Sequence, residues 1–334
     1  MNKHILIIAP PLIGDSVMII PHLEAFKKYP DVSLFFLGSR QLNGLLEKYA
    51  DVTLRCFPVS PEFFQNNQTS PDVMDSLVRE FSTIEFDMIF DHLGNANSKY
   101  LIERLEAPLS VGVCHAPLSP YTKRLTHKHV NGWVTDSRDA SQCFSDLYKV
   151  AGIALELRRP SLKSLTGRAT SANGVLINPG AGSVIKRWSL ESFVAVGDAL
   201  ATRGLMPTFL VGPAEMELKE KLSEMTQHAL FDGSSLSLVE LCQYLLGFKV
   251  LVTNDCAIMH LGAAQGLRTV ALFAGGFHNP TKWFPYSRAS NHVFVGDHSA
   301  SCDALPSEHW QSKIQVDAVV SSVLTLANGD ARGS

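Results

Sequence analysis

Asp255 sits where chemistry is easiest to build: a short β-branched run, Val250–Thr253, passes through Asn254-Asp255 straight into the Ala-rich helical run that carries His260. A strand, a tight turn and a helix start without a spacer direct unpaired backbone N–H groups and the positive end of a helix dipole at one point, which suits a phosphate or diphosphate. A carboxylate there repels phosphate, so the phosphates would meet the N–H groups that follow Asp255 rather than its side chain. The plain alternative is that Asp255 only caps the helix. A second carboxylate, Asp15, stands in the same kind of junction after Gly14 and before Ser16, where it serves either as a general base or as a cap. The third stretch, NPGAGSVIKRW, runs from Asn178 to Trp188. Gly180 and Gly182 allow a close backbone approach, Ser183 adds a hydroxyl, and Lys186 and Arg187 bring cations to the same loop. It lacks the G-K-[ST] ending of a Walker loop and the G-x-G-x-x-G of a dinucleotide fold, and a surface turn with solvated cations is its plain alternative.

The elements that position these groups alternate strand and helix. Apolar runs at His4–Ala9, Val32–Leu37, Val52–Phe57, Phe86–His92 and Leu109–Cys114 are each followed by a change of period, so a parallel sheet is predicted for the first half. Pro21 should kink the helix after Asp15 or start its regular part. The loop Pro58–Pro71 is placed to border a substrate. The stretch from His115 to Trp133 reads as a long basic loop. Its His127-Lys128-His129 cluster lacks a carboxylate and makes a poor metal site; with Lys123 and Arg124 it reads as a solvated loop or as a basic lip for an anionic acceptor. A helix near Arg138–Ala151 and an aperiodic linker at Leu157–Asn173 separate this half from a second one of the same doubly wound form, which begins at Gly174. The expected boundaries are 1–160, 161–307, a final helix over 308–326 and a disordered tail, 327–334. In open parallel sheets ligands collect beyond the carboxyl ends of the strands, so a cleft between the two halves is the expected site, with Asp15 on one side and Lys186, Asp255 and His260 on the other.

Composition removes other classes. A net charge of −3, with 29 Lys and Arg against 32 Asp and Glu, offers no basic surplus for nucleic acid. Six scattered cysteines form no C-x-x-C pair, which argues against zinc or iron–sulfur centres and against a secreted disulfide framework, and they read as reduced thiols in a cytoplasmic protein. The N-terminal apolar run is broken by Pro10-Pro11 and is no signal peptide. No run approaches the roughly 20 residues that span a bilayer, so any inner-membrane contact is expected to be peripheral.

Taken together, LIGDSVMIIP, NPGAGSVIKRW, NDCAIMHLGAAQG and the later PTKWFP (Pro280 to Pro285) resemble, in order and over the whole chain, the four landmarks of glycosyltransferase family nine, the ADP-heptose:lipopolysaccharide heptosyltransferases. The resemblance implies a GT-B fold: two Rossmann-like α/β domains with a C-terminal helix returning to the first. It implies an inverting, metal-independent and cofactor-free glycosyltransferase. Asp15 would be the base, Lys186 the partner of the departing diphosphate, and Asn178, Gly180, Gly182, Ser183, Asp255, Cys256, Ala257 and His260 the donor side. Gly14, Ser16, Lys123 and Arg124 would face a lipid-linked or glycan acceptor. Inverting transfer needs one base and positive charge where the leaving group develops its anion, and the chain holds no D-x-D metal signature.

Two departures stand out. Cys256-Ala257 replaces the family's Ser/Thr-Gly, which removes a hydroxyl contact to the donor and backbone freedom at 257. The first loop has no Arg or Lys before Gly14. The rival readings are a GT-B enzyme of another nucleotide sugar, as transferase or epimerase, and a non-catalytic binding protein of the same fold. Acceptor identity, linkage and oligomeric state are not set by the sequence.

Overall fold

A computed structural model describes residues 2–49, 52–65, 69–113, 120–125, 140–155, 162, 174–213, 215–276, 278, 280–283, 292–296, 307 and 309–328. The described residues below 156 form one compact unit and those from 162 onward a second.

The first unit runs β1 (Lys3–Ile8), α1 (Ile13–Met18), α2 (Ile20–Ala25), β2 (Val32–Ser39), α3 (Arg40–Tyr49), β3 (Leu54–Val59), α4 (Pro71–Phe81), β4 (Met88–Asp91), α5 (Ala96–Leu105), β5 (Leu109–Val113), β6 (Lys123–Leu125) and α6 (Ala140–Val150). All six strands pair in parallel in the order β3-β2-β1-β4-β5-β6. Strands covered on both faces read as continuous apolar runs, and from Ile5 to Ile8 every residue of β1 is buried. The break at Ile19 between α1 and α2 puts Pro21 in the first turn of α2, where its missing N–H costs nothing. The segment expected as one long basic loop holds β6, a three-residue outer strand whose Lys-Arg start hides it from any apolar-run criterion.

The second unit runs β7 (Gly174–Asn178), α7 (Leu190–Ala201), β8 (Met206–Val211), α8 (Met216–Met225), β9 (Ala229–Asp232), α9 (Leu238–Leu245), β10 (Val250–Asn254), α10 (Ala257–Ala264), β11 (Arg268–Phe273), α11 (Pro280–Trp283), β12 (His292–Gly296) and α12 (Val316–Asn328). Its sheet order, β12-β11-β10-β7-β8-β9, is the first sheet's order over again, all parallel. Each sheet therefore has one point where the strand order reverses, between β1 and β4 and between β7 and β10, and such points are where doubly wound sheets bind ligands.

The last helix covers the second unit's own sheet. Val319, Val320, Val323 and Leu326 of α12 are buried in the second unit's own core with Val252, Val270 and Leu272. That helix also runs on to Asn328, through the start of the expected tail, and 329–334 lie outside the described residues, as does most of the linker expected at 157–173. Among the described residues, no helix is long and apolar enough to cross a membrane.

Candidate active site

In the second unit, the strand-order reversal brings together the ends of β7 and β10. Asn178 and Asn254 join them: the Asn178 amide donates to Thr253 Oγ1 at 3.0 Å and to Cys256 Sγ at 3.3 Å, while that of Asn254 donates to the Pro179 carbonyl at 2.8 Å. Asn254 Oδ1 accepts from the Trp188 N–H at 3.1 Å, and Arg187 donates twice to the Ala181 carbonyl. Gln311, in the turn before α12, fixes the far side of this loop through the Arg187 carbonyl at 2.7 Å. The loop Pro179–Trp188 is thus held by side chains of both strands rather than by glycine geometry.

Lys186 ends a one-turn 3₁₀ helix in that loop, and its ammonium reaches Asp255 Oδ2 at 3.3 Å. His278 Nδ1 meets the same oxygen at 3.5 Å. Asp255 is 5% exposed. Burial, the largest influence on it, pushes its carboxyl pKa up, but the His278 hydrogen bond and the charges of Lys186, His260 and His278 outweigh that and hold it below the ordinary value. His260, one turn into α10, is buried with no partner for Nδ1, and burial lowers its pKa to about 4, so it is neutral at pH 7. The cluster therefore sets the Asp255 carboxylate and the Lys186 ammonium side by side, with neutral His260 behind them.

Asp255 is not the helix cap. Cys256 is, in extended backbone, with Ala257 and Ile258 half-buried in the turn it opens. The Cys256 thiol, pushed up by burial, is occupied by Asn178 and Thr253, so residue 256 ties the two strand ends together. Ala257 has helical backbone, and a glycine's extra freedom is not needed there. Of the two loop glycines, Gly180 is crowded: a Cβ would collide with the Glu215 carboxylate, which itself accepts from the Gly212 N–H at 2.8 Å. A Cβ at Gly182 meets nothing within 4 Å, and Ser183 is exposed beside it.

In the first unit, Gly14, Asp15 and Ser16 all lie in the buried first turn of α1, directly beyond β1. Leu12 is the cap residue, so Asp15 is two positions past N1 and its acidity complements the helix dipole without capping. Gly14 is helical rather than the tight turn its sequence position suggests. The Ser16 hydroxyl donates to the Leu12 carbonyl at 2.9 Å. Across the reversal point, buried Asp91 ends β4 and accepts from the Leu93 and Gly94 N–H groups and from Tyr121 Oη at 2.6 Å, closing the turn into α5. Beyond the ends of β1, β2 and β3 opens a pocket of about 420 Å³ bounded by Ile13 and Ser16 on one side and by Pro61, Phe64 and Gln65 of the loop after β3 on another.

The structure does not bring Lys123 to this point. It lies on β6, three strands from β1, or roughly 14 Å at the usual strand spacing, and its amine donates to the Val150 carbonyl at 3.1 Å. Arg124 shares that strand, and its side chain and the His127-Lys128-His129 cluster lie outside the described residues. Among the described residues no group of three metal-ligating side chains converges. Three contributors were missed by sequence reasoning: Thr253, Glu215 and His278. The last had a signal, since Gly275 and Gly276 both take positive φ to turn the chain after β11 and deliver His278 back to Asp255.

Two Rossmann-type units, each with its polar residues gathered at its own reversal point, make up a GT-B-type fold. The chain belongs to glycosyltransferase family 9 (heptosyltransferase), whose model matches residues 74–308. It is 25% identical over 290 residues to lipooligosaccharide heptosyltransferase 2 of Campylobacter jejuni, covering 82% of this chain and 81% of that relative. A family 9 glycosyltransferase structure from Veillonella parvula superposes with a TM-score of 0.76 at 20% identity, covering 98% of this chain and 99% of that one. The E. coli ADP-heptose lipopolysaccharide heptosyltransferase II gives 0.75 at 16% identity, with 98% and 100% covered.

Proposed function

We propose that this glycosyltransferase moves heptose from ADP-heptose onto a lipopolysaccharide or lipooligosaccharide core, with inversion and without a metal. The observation that carries the reading is the Lys186–Asp255 pair at the reversal point of the second unit, 3.3 Å apart and backed by buried, neutral His260. Asp255 accepts from donor hydroxyls, and the diphosphate oxygens compete with Asp255 for the Lys186 ammonium. In the first unit Asp15 takes the proton of the acceptor hydroxyl as its oxygen attacks the anomeric carbon; the bond from that carbon to the diphosphate breaks, and ADP leaves with the charge that Lys186 and the start of α10 stabilise. One attack from the face opposite the leaving group inverts the anomeric centre. The E. coli and C. jejuni relatives named above, one for ADP-heptose and one for lipooligosaccharide, support the donor and the acceptor class. The enzyme acts from the cytoplasmic side, in peripheral contact with the inner membrane that carries its acceptor.

The test is ADP release from ADP-heptose in the presence of core glycolipid extracted from a strain lacking this gene, with and without EDTA, followed by NMR of the new linkage. An inverted linkage and turnover unaffected by EDTA are expected. Preference for UDP- or GDP-sugars over ADP-heptose removes the donor assignment, and loss of activity in EDTA removes metal independence.

A further inference from the structure

The pocket beside Asp15 is walled by flat apolar surfaces, Phe64, Pro10 and Pro11, interleaved with the hydroxyls and amides of Ser16, Ser39 and Gln65. Among the described residues no charged side chain lines it. Its volume of about 420 Å³ falls within the range of small-ligand sites. The wall is held in place. The Asn95 amide donates to the Phe63 carbonyl at 2.8 Å, and that of Asn97 donates to the Phe63 and Gln65 carbonyls at 3.1 and 3.0 Å. Next to the lining residue Leu42, the Asn43 side chain is 4% exposed, and neither its oxygen nor its nitrogen has a hydrogen-bond partner among the described residues. Buried amides are rarely left so.

Apolar faces alternating with neutral hydrogen-bonding groups match a sugar ring, which presents C–H faces and an equatorial rim of hydroxyls. The same lining disfavours a phosphorylated or carboxylated residue, whose charge finds no cation there to offset its desolvation. We propose that this pocket is the acceptor subsite for an uncharged sugar residue of the glycan, one that sets acceptor specificity next to the reacting hydroxyl. The proposal rests on the reading of the first unit as the acceptor side. It replaces the expected basic lip at Lys123, which the fold carries three strands away.

Saturation-transfer NMR on the full chain, with methyl α-mannopyranoside and mannose 6-phosphate as probes, tests it. Transfer to the neutral glycoside and at least fivefold less to the phosphate are expected. Gln65→Trp, on an exposed position, should abolish the transfer, and Gln41→Lys, at the exposed start of α3, should shift preference toward the phosphate. Equal or stronger transfer to mannose 6-phosphate in the unmodified chain overturns the proposal, as does transfer that survives Gln65→Trp. ADP binding is followed by thermal shift on the same samples: a chain that binds ADP and turns over donor but does not engage the neutral glycoside refutes the subsite alone, and one that does neither refutes the glycosyltransferase reading beneath it.

Discussion

Replacing Lys186 separates two jobs of one ammonium, a contact seen in the structure and a role in the proposed mechanism. It neutralises Asp255, 3.3 Å away and 5% exposed, and in the proposed mechanism it stabilises the leaving diphosphate. Breaking a fully buried ion pair costs about 3–5 kcal/mol. Here the Lys186 side chain is 16% exposed and His278 still meets the same carboxylate oxygen, so Lys186→Met should cost about 1–2 kcal/mol of stability, below the range for a fully buried pair. That corresponds to a Tm drop of roughly 2–8 °C. The loss in kcat should be larger, about 10²–10³-fold or roughly 3–4 kcal/mol, the scale for removing one group that stabilises developing negative charge. Adding Asp255→Asn removes the carboxylate that Lys186→Met leaves uncompensated. The double variant should regain most of the lost Tm while kcat, read from coupled ADP release, stays down. Recovery of kcat to within a few-fold of the unmodified enzyme would show that Lys186 serves only to neutralise Asp255, and the leaving-group role would be wrong.

Three further outcomes follow from single sites. Asp15→Asn keeps the size and hydrogen-bonding capacity of the side chain, so Tm should change little while kcat falls by about 10²–10⁴-fold and ADP affinity, measured by calorimetry, stays as it was; unchanged kcat excludes Asp15 as the base. Burial lowers His22 and His260 to about 4 and His92 to about 3, so the unfolded chain takes up protons that the folded chain refuses, and stability is lost as pH falls below 6.5. Each contributes about 2 kcal/mol of that loss by pH 5; His22→Gln should shrink the Tm difference between pH 7 and pH 5, and an unaltered difference refutes the assignment. Gly180→Ala must push the Glu215 carboxylate off the Gly212 N–H, at a cost of about 1 kcal/mol; nucleotide affinity by thermal shift should fall with it, and Gly182→Ala, with open space around it, should change neither.

Much of the architecture was legible because a strand buried on both faces has to be apolar throughout. The long runs of β1, β2, β7 and β10 announce themselves for that reason. Lys123–Leu125 and Ala229–Asp232 escaped because both are short outer strands of their sheets, where one side has no neighbour and polar or charged residues are tolerated. The destination of the final helix escaped for a different reason. Its Val319, Val320, Val323 and Leu326 stripe declares an apolar face but carries no information about which sheet covers it. At the site, residues at strand-to-helix junctions could be found from local pattern alone. His278 could not be tied to Asp255 that way, because 22 intervening positions and a double-glycine turn set their contact. The reading of Cys256 also changed. From the sequence it is a lost donor hydroxyl; in the structure Asn178 and Thr253 hold its sulfur, which joins the ends of β7 and β10.

The two sheets repeat one strand order, so topology alone cannot tell which unit takes which substrate. Charge can. The reversal point of the second sheet concentrates a lysine, a carboxylate held ionised and a helix start, a set that tolerates the arrival of negative phosphate because the ammonium can be shared between Asp255 and the ligand. At the first sheet's reversal point Asp15 stands beside a pocket whose described lining carries no charge. Diphosphate placed there would find no cation in the described lining to offset its charge. A neutral hydroxyl carries no such penalty, and in the proposed mechanism Asp15 takes its proton. The proposed assignment of the donor to the second unit and the acceptor to the first therefore rests on electrostatics that the repeated fold leaves free to differ, and on this proposal exchanging the charges of the two sites, rather than their folds, would exchange their substrates.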